Sequence, residues 1–152
     1  MKKIIQFADL VGGLLIAILF LVVLLQVVAR VILHVPTSWT VEFGRVLFVT
    51  IVFIGSVVLM YSHGHMVITT LLEKLPPRIK KGVEIFNALL LSLILFIFCY
   101  GAVEKTVTNW DIVIPTLEWM TNGYMYLIVL LGGLGMLVCA LIDLVALFRR
   151  SA

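Results

Sequence analysis

The sequence is poor in charge. In 152 residues there are 11 Lys and Arg and 8 Asp and Glu, and the chain is 63% hydrophobic against 12% charged, a composition far from that of water-soluble globular domains. Carboxylates are missing from the centre of every long apolar run. Histidine is missing too, since His34, His63 and His65 fall between runs. The first absence excludes the midplane carboxylate that a carrier working alone normally needs, and the second excludes paired axial ligands for a haem held between helices. The two cysteines, Cys99 and Cys139, stand at different depths of separate runs, where they cannot easily bridge and read as small packing residues. No nucleotide-binding loop, zinc signature or catalytic triad pattern occurs. The sequence therefore assigns no catalytic residue, no metal site and no cofactor, and it indicates no nucleic acid partner.

What is present is apolar length. Segments over about 10–33, 43–62, 85–103 and 124–147 each reach the roughly 20 residues that a helix needs to cross a hydrocarbon core about 30 Å thick. Stretches such as "LLIAILFLVVLL" offer no polar face for water, so these are read as spans and not as core helices of a soluble fold. The expected fold class is all-α integral membrane, with residues 1–152 forming a single four-helix membrane domain. Lys2 and Lys3 ahead of the first run resemble the start of a signal peptide, but that run exceeds the roughly 7–15 apolar residues of such a segment, which predicts an uncleaved first span.

Orientation follows from the basic residues. Lys2 and Lys3 precede the first span, Lys74, Arg78, Lys80 and Lys81 lie between the second and third, and Arg149 and Arg150 follow the fourth, while the other side holds only Lys105. The positive-inside rule then predicts both termini in the cytoplasm and two short loops outside. Trp39, Trp110 and Trp119 all fall on the outer side, with Tyr100, Tyr124 and Tyr126. Rings of this kind settle at the headgroup layer, and their one-sidedness leaves open a second role in holding a partner. On the cytoplasmic side, Ile68, Leu71, Leu72 and Leu75 repeat at i, i+3, i+4 and i+7, opposite Thr69, Thr70, Glu73 and Lys74. This pattern predicts a short amphipathic helix over about 65–75, lying in the interface and ended by Pro76 and Pro77, with Arg78, Lys80 and Lys81 facing anionic lipid. A solvated linker is the alternative.

The charges near the outer surface remain to be explained. Glu42 and Arg45 share a helix face three residues apart, and Arg30 reaches a similar depth from the first span. The three either form one ion cluster or, for the arginines, snorkel to the outer headgroups. Thr37 or Ser38, after Pro36, is a plausible cap for the second helix. Gln26 reads as glue between helices, and Gly132, Gly133 and Gly135 permit close helix approach.

The run "ARVILHVPTSWTVEFGRVLFVTIVFIGSVVLMYSHGHMVITTLLEKLP", followed by a basic stretch and two further spans, resembles the small membrane subunit of tripartite ATP-independent periplasmic (TRAP) transporters, the DctQ-like family. Arg30, Trp39, Glu42, Arg45, Gly55 and the segment from His65 to Leu75 and Pro76 carry the resemblance, and Ile114-Pro115 before the last span extends it. The chain departs from the family pattern at Val41, where a second acid often stands, at Thr69, where an acid often follows the histidine, and over Tyr61 to Gly64, where a basic residue often precedes it. An ion pair at His65 in the cytoplasmic turn is thereby weakened, while the outer charges keep their pattern. The resemblance implies a non-catalytic bacterial inner-membrane subunit, bound to a large permease subunit that carries the substrate and sodium sites. A soluble periplasmic substrate-binding protein would deliver an organic acid anion. The small subunit would be a scaffold whose outer edge helps dock that protein. A stand-alone small transporter or channel is the competing reading, and a structural subunit of a respiratory complex is a third.

Overall fold

The computed structural model describes residues 2–32, 34, 37–63 and 76–149. Its elements are α1 (Lys2–Val31), α2 (Ser38–His63), α3 (Pro77–Thr108), β1 (Val113–Ile114), β2 (Leu117–Thr121) and α4 (Asn122–Arg149). Leu10–Val31, Ser38–Ser62, Ile79–Thr108 and Asn122–Leu147 are long and apolar enough to cross a membrane, so the expected all-α architecture of four spans is the observed one. The helices overrun the apolar runs because backbone hydrogen bonding does not stop where hydropathy does. α3 begins at Pro77, whose fixed φ suits a first helical position and whose missing N–H has no partner to lose there. The amide groups of Ile79 and Lys80 both donate to the Pro76 carbonyl at 3.0 Å. At the start of α2 the Thr40 hydroxyl donates back to the Thr37 carbonyl at 2.6 Å, and Thr40 is only 1% exposed. The amphipathic helix expected over 65–75 lies outside the described residues.

The helices stand in an open row. α1 packs on α2, α2 on α4, and α4 on α3, while α1 and α3 share no packed interface. The half-buried positions of α1, Val11, Leu15, Ile18, Val22, Gln26 and Ala29, recur at intervals of three and four, which puts them on the one face that meets α2. Gln26 thus lies on the contact stripe.

Glycine decides how closely the central helices approach. A Cβ at Gly132 would meet Phe53 of α2 at 2.5 Å, one at Gly133 would meet Phe98 of α3 at 2.9 Å, and one at Gly135 would meet Val57 of α2 at 2.9 Å. The Phe53 and Phe98 rings stack on each other at 6.1 Å with planes 23° apart. Three helices are therefore locked at mid-span around the bare backbone of α4, the small-residue packing expected where lipid supplies no hydrophobic drive between helices. Cys99 lies against Gly133 and is buried, and neither it nor Cys139 is in a disulfide.

The connection after α3 is more than the short loop expected from sequence. β1 and β2 pair antiparallel across a two-residue turn at Pro115 and Thr116, with a register shift between Val113 and Ile114. Two strands this short would not hold alone. Ile114, Leu117 and Met120 hold them by burying against Val46, with Phe43 and Ile128 alongside, so the hairpin staples α2 to α4. Side chains of this size are each worth about 1.5–3 kcal/mol when fully buried relative to exposure. Below the hairpin, Gly123 lets the Trp110 backbone pass, since a Cβ there would stand 2.7 Å from the Trp110 Cα.

Candidate functional site

The ends of α1 and α3 and the starts of α2 and α4 meet at the hairpin, and most of the residues singled out from sequence gather at this end. Glu42 and Arg45 are one helical turn apart on α2, with Arg45 Nη1 at 3.5 Å from Glu42 Oε2; their side chains are 58% exposed for Arg45 and 30% for Glu42. Geometry this open contributes little to stability by itself. Arg30 is exposed at the last turn of α1 and stands outside that pair. Of the three charges considered together in the sequence, the structure pairs two.

The tryptophans surround this end. Trp39 opens α2, Trp110 follows α3, and Trp119 stands out from β2 at 71% exposure. Trp110 is held by the Tyr124 ring, at 5.6 Å between centroids and 43° between planes, whereas the face of Trp119 is open. At the opposite end, Lys80 and Lys81 are half-buried in the first turns of α3 and Arg149 is exposed at the end of α4. Arg78 belongs to α3 by its backbone, and His65 lies outside the described residues.

Serine and threonine hydroxyls within the spans are turned onto their own helices. Thr50 donates to the Val46 carbonyl at 2.8 Å, Ser56 to Val52 at 2.7 Å, Ser92 to Ala88 at 2.8 Å and Thr106 to Ala102 at 2.7 Å. Each hydroxyl is satisfied four residues back, which leaves no set of them aimed at a shared space. The open row likewise surrounds no central passage among the described residues. Such a molecule presents surfaces.

Sequence reasoning missed the hairpin core of Ile114, Leu117 and Met120, and the stacked Phe53 and Phe98. The hairpin signal was present in Pro115 and Thr116 between residues of high strand propensity, but β1 has two residues and β2 does not alternate.

A four-span membrane protein whose span hydroxyls are bonded to their own helices and whose outward faces are broad has, by class, the form of a component of a membrane assembly. Comparison with known proteins makes that specific. The family model described as tripartite ATP-independent periplasmic transporters, DctQ component, matches residues 19–150, and the chain belongs to that family. The family is a transporter component and not an enzyme family, and with four spans it places the chain as a multi-pass protein of the bacterial inner membrane. Among curated proteins, the chain is similar to the sialic acid TRAP transporter permease protein SiaT of Haemophilus influenzae (strain 86-028NP), at 29% identity over 104 residues. The match covers 68% of this chain and 17% of that protein, so the chain spans less than a fifth of the relative's length.

Proposed function

We propose that this small TRAP subunit is a fixed scaffold that binds the large permease subunit of a sodium-driven transporter for organic acid anions. The observation that carries the reading is the open row. Two broad sides of the helices are left uncovered by the chain itself, while the hydroxyls inside the spans are already satisfied and need no substrate. The similar Haemophilus protein adds support, since its matching segment is a minor part of a much longer permease. Its name makes sialic acid one ligand class to test, beside C4-dicarboxylates and other sugar acids.

In this reading both termini face the cytoplasm and the hairpin end faces the periplasm. There Arg30 and the Glu42–Arg45 pair lock helices together or offer charge to the soluble substrate-binding protein, and Trp39, Trp110 and Trp119 set the depth in the bilayer. Lys80 and Lys81, with Arg78 beside them in sequence, meet anionic headgroups on the opposite side. The residues 1–152 act as one domain.

The test is affinity purification of the chain in mild detergent after expression with its native genomic neighbours, with mass spectrometry of what stays bound. A much larger polytopic membrane protein is the expected companion. Recovery of the chain with itself only, together with transport by that species in liposomes, would replace the scaffold by a stand-alone small transporter.

A further inference from the structure

Every helix leaves a side uncovered, and these sides differ in chemistry. Between its ends, where Tyr124 and Arg149 are exposed, α4 shows lipid only aliphatic side chains: Leu131, Leu134, Val138, Leu141, Ile142 and Val145. On α3 the exposed charges, Glu104 and Lys105, lie in the last turns, within reach of headgroups. α2 is different. Between its exposed ends, Ser38 and Trp39 at one and Tyr61 and Ser62 at the other, the exposed residues Val41, Arg45, Phe48, Val52, Gly55 and Leu59 recur at intervals of three and four and form a single narrow stripe, because α1 and α4 cover the rest of that stretch. Arg45 lies seven residues inside Ser38, about 10 Å along the axis at 1.5 Å per residue. Among the described residues its ion-pair contact is with Glu42 alone, at 3.5 Å, which leaves most of the guanidinium donors without a partner there.

Gly55 sharpens the contrast. A Cβ built there meets nothing within 4 Å, unlike one at Gly132, Gly133 or Gly135, so the chain's own packing does not call for glycine at that point. Glycine inside a helix costs about 0.8–1.0 kcal/mol relative to alanine. Gly12, Gly13, Gly82 and Gly101 are equally open, but they lie toward the ends of the two helices that flank the row, where Gly82 follows Lys80 and Lys81 and Gly101 stands one turn from Glu104 and Lys105, charges within reach of headgroups. On α2 alone an open glycine stands near mid-span on the same stripe as a charge one to two turns inside the helix.

We infer that the α2 stripe from Val41 to Leu59 is the docking surface for one transmembrane helix of the large permease subunit. That helix crosses closely at Gly55 and offers a carboxylate or carbonyl oxygen to Arg45. The inference rests on the scaffold reading and adds the face by which the chain is held. Charge complementarity and close approach together select the occupant: a snorkelling headgroup contact would serve Arg45 alone, whereas a helix with an acceptor at that depth serves Arg45 and packs closely at Gly55 as well.

The test co-expresses the tagged chain with the large subunit and measures the large subunit recovered per tagged chain for wild type, Gly55→Leu, Arg45→Gln and Gly101→Leu. Each chain is also purified alone and its unfolding midpoint measured. Gly55→Leu is expected to lower recovery at least about tenfold, equivalent to about 1.4 kcal/mol, with its own midpoint at or above the wild-type value. Arg45→Gln should lower recovery, and Gly101→Leu should leave it at the wild-type level. Recovery retained by Gly55→Leu, or lost with Gly101→Leu instead, overturns the assignment of this face while leaving the scaffold reading intact. Failure of the wild type to retain any large subunit overturns the scaffold reading itself. If Gly55→Leu does not accumulate, Phe48→Ala and Arg45→Gln decide by the same recoveries.

Discussion

Replacing Gly132 by alanine tests how the central helices are held. The added Cβ would lie 2.5 Å from Cδ1, 2.6 Å from Cβ and 2.8 Å from Cγ of Phe53. Carbon atoms settle at about 3.5–4.0 Å. Turning the ring moves Cδ1 but not the Phe53 Cβ, which is fixed to the α2 backbone, so α2 and α4 must part by close to an ångström. A gap of about that size forfeits roughly a quarter to a half of each contact along the seam, and it disturbs the Phe53–Phe98 stack. The expected packing cost is about 1–3 kcal/mol. Alanine also gains about 0.8–1.0 kcal/mol of helix propensity over glycine, which partly hides this cost. Gly55→Ala supplies the reference, because it collects the same gain where the site is open. Unfolding in mild detergent, followed by circular dichroism during titration with SDS, should therefore show Gly55→Ala at or above wild type and Gly132→Ala below Gly55→Ala by the packing cost. Equal midpoints for the two alanine variants would refute the account of the seam.

The remaining predictions concern the hairpin and the charge pair. Leu117→Ala should lower stability by about 2–5 kcal/mol, the usual cost of emptying a buried leucine site, and hydrogen exchange should localise the loss to residues 112–121 with the mid-span seam unaffected. Gly123→Ala pushes against the backbone of Trp110, so it should separate the Trp110 and Tyr124 rings and alter tryptophan emission; an unchanged spectrum would argue against that contact. Glu42→Gln should shift the stability of the isolated chain by less than about 1 kcal/mol, because the pair is open to its surroundings. The same change should lower uptake or complex yield in the assembled transporter, and wild-type values for both would count against a role for the charges.

The four spans were legible because a period-independent signal, sheer apolar length, reports them, and the order of the helices along the chain follows directly. Their lateral arrangement was not legible, since residues such as Leu131 and Ile128 are equally hydrophobic whether they meet lipid or another helix. Glycine was the partial exception: Gly132, Gly133 and Gly135 announced close approach without saying to which neighbours, and the structure supplies Phe53, Phe98 and Val57. The hairpin escaped because its strands are held by tertiary burial of Ile114, Leu117 and Met120 and not by local pattern. At the candidate site, the spacing of Glu42 and Arg45 was enough to place them on one face, as one helix fixes that geometry. The position of Arg30 depends on how α1 leans on α2, which no local rule determines.

The row also fixes an order of birth. Synthesis delivers α1 and then α2, which can pair at once, but α3 emerges with only the Phe98 contact to Phe53 of α2 on offer, since its main neighbour in the row is α4. Until α4 enters the bilayer, α3 must wait in lipid largely on its hydrophobicity, and the strands have no finished floor to sit on, because their seat includes Ile128. The last helix translated is thus the keystone: its arrival joins the waiting α3 to the α1–α2 pair and seats the hairpin in the same step. A ribosome stalled before residue 122 would leave α3 only loosely joined to the α1–α2 pair, a state that a quality-control protease could tell from the finished subunit.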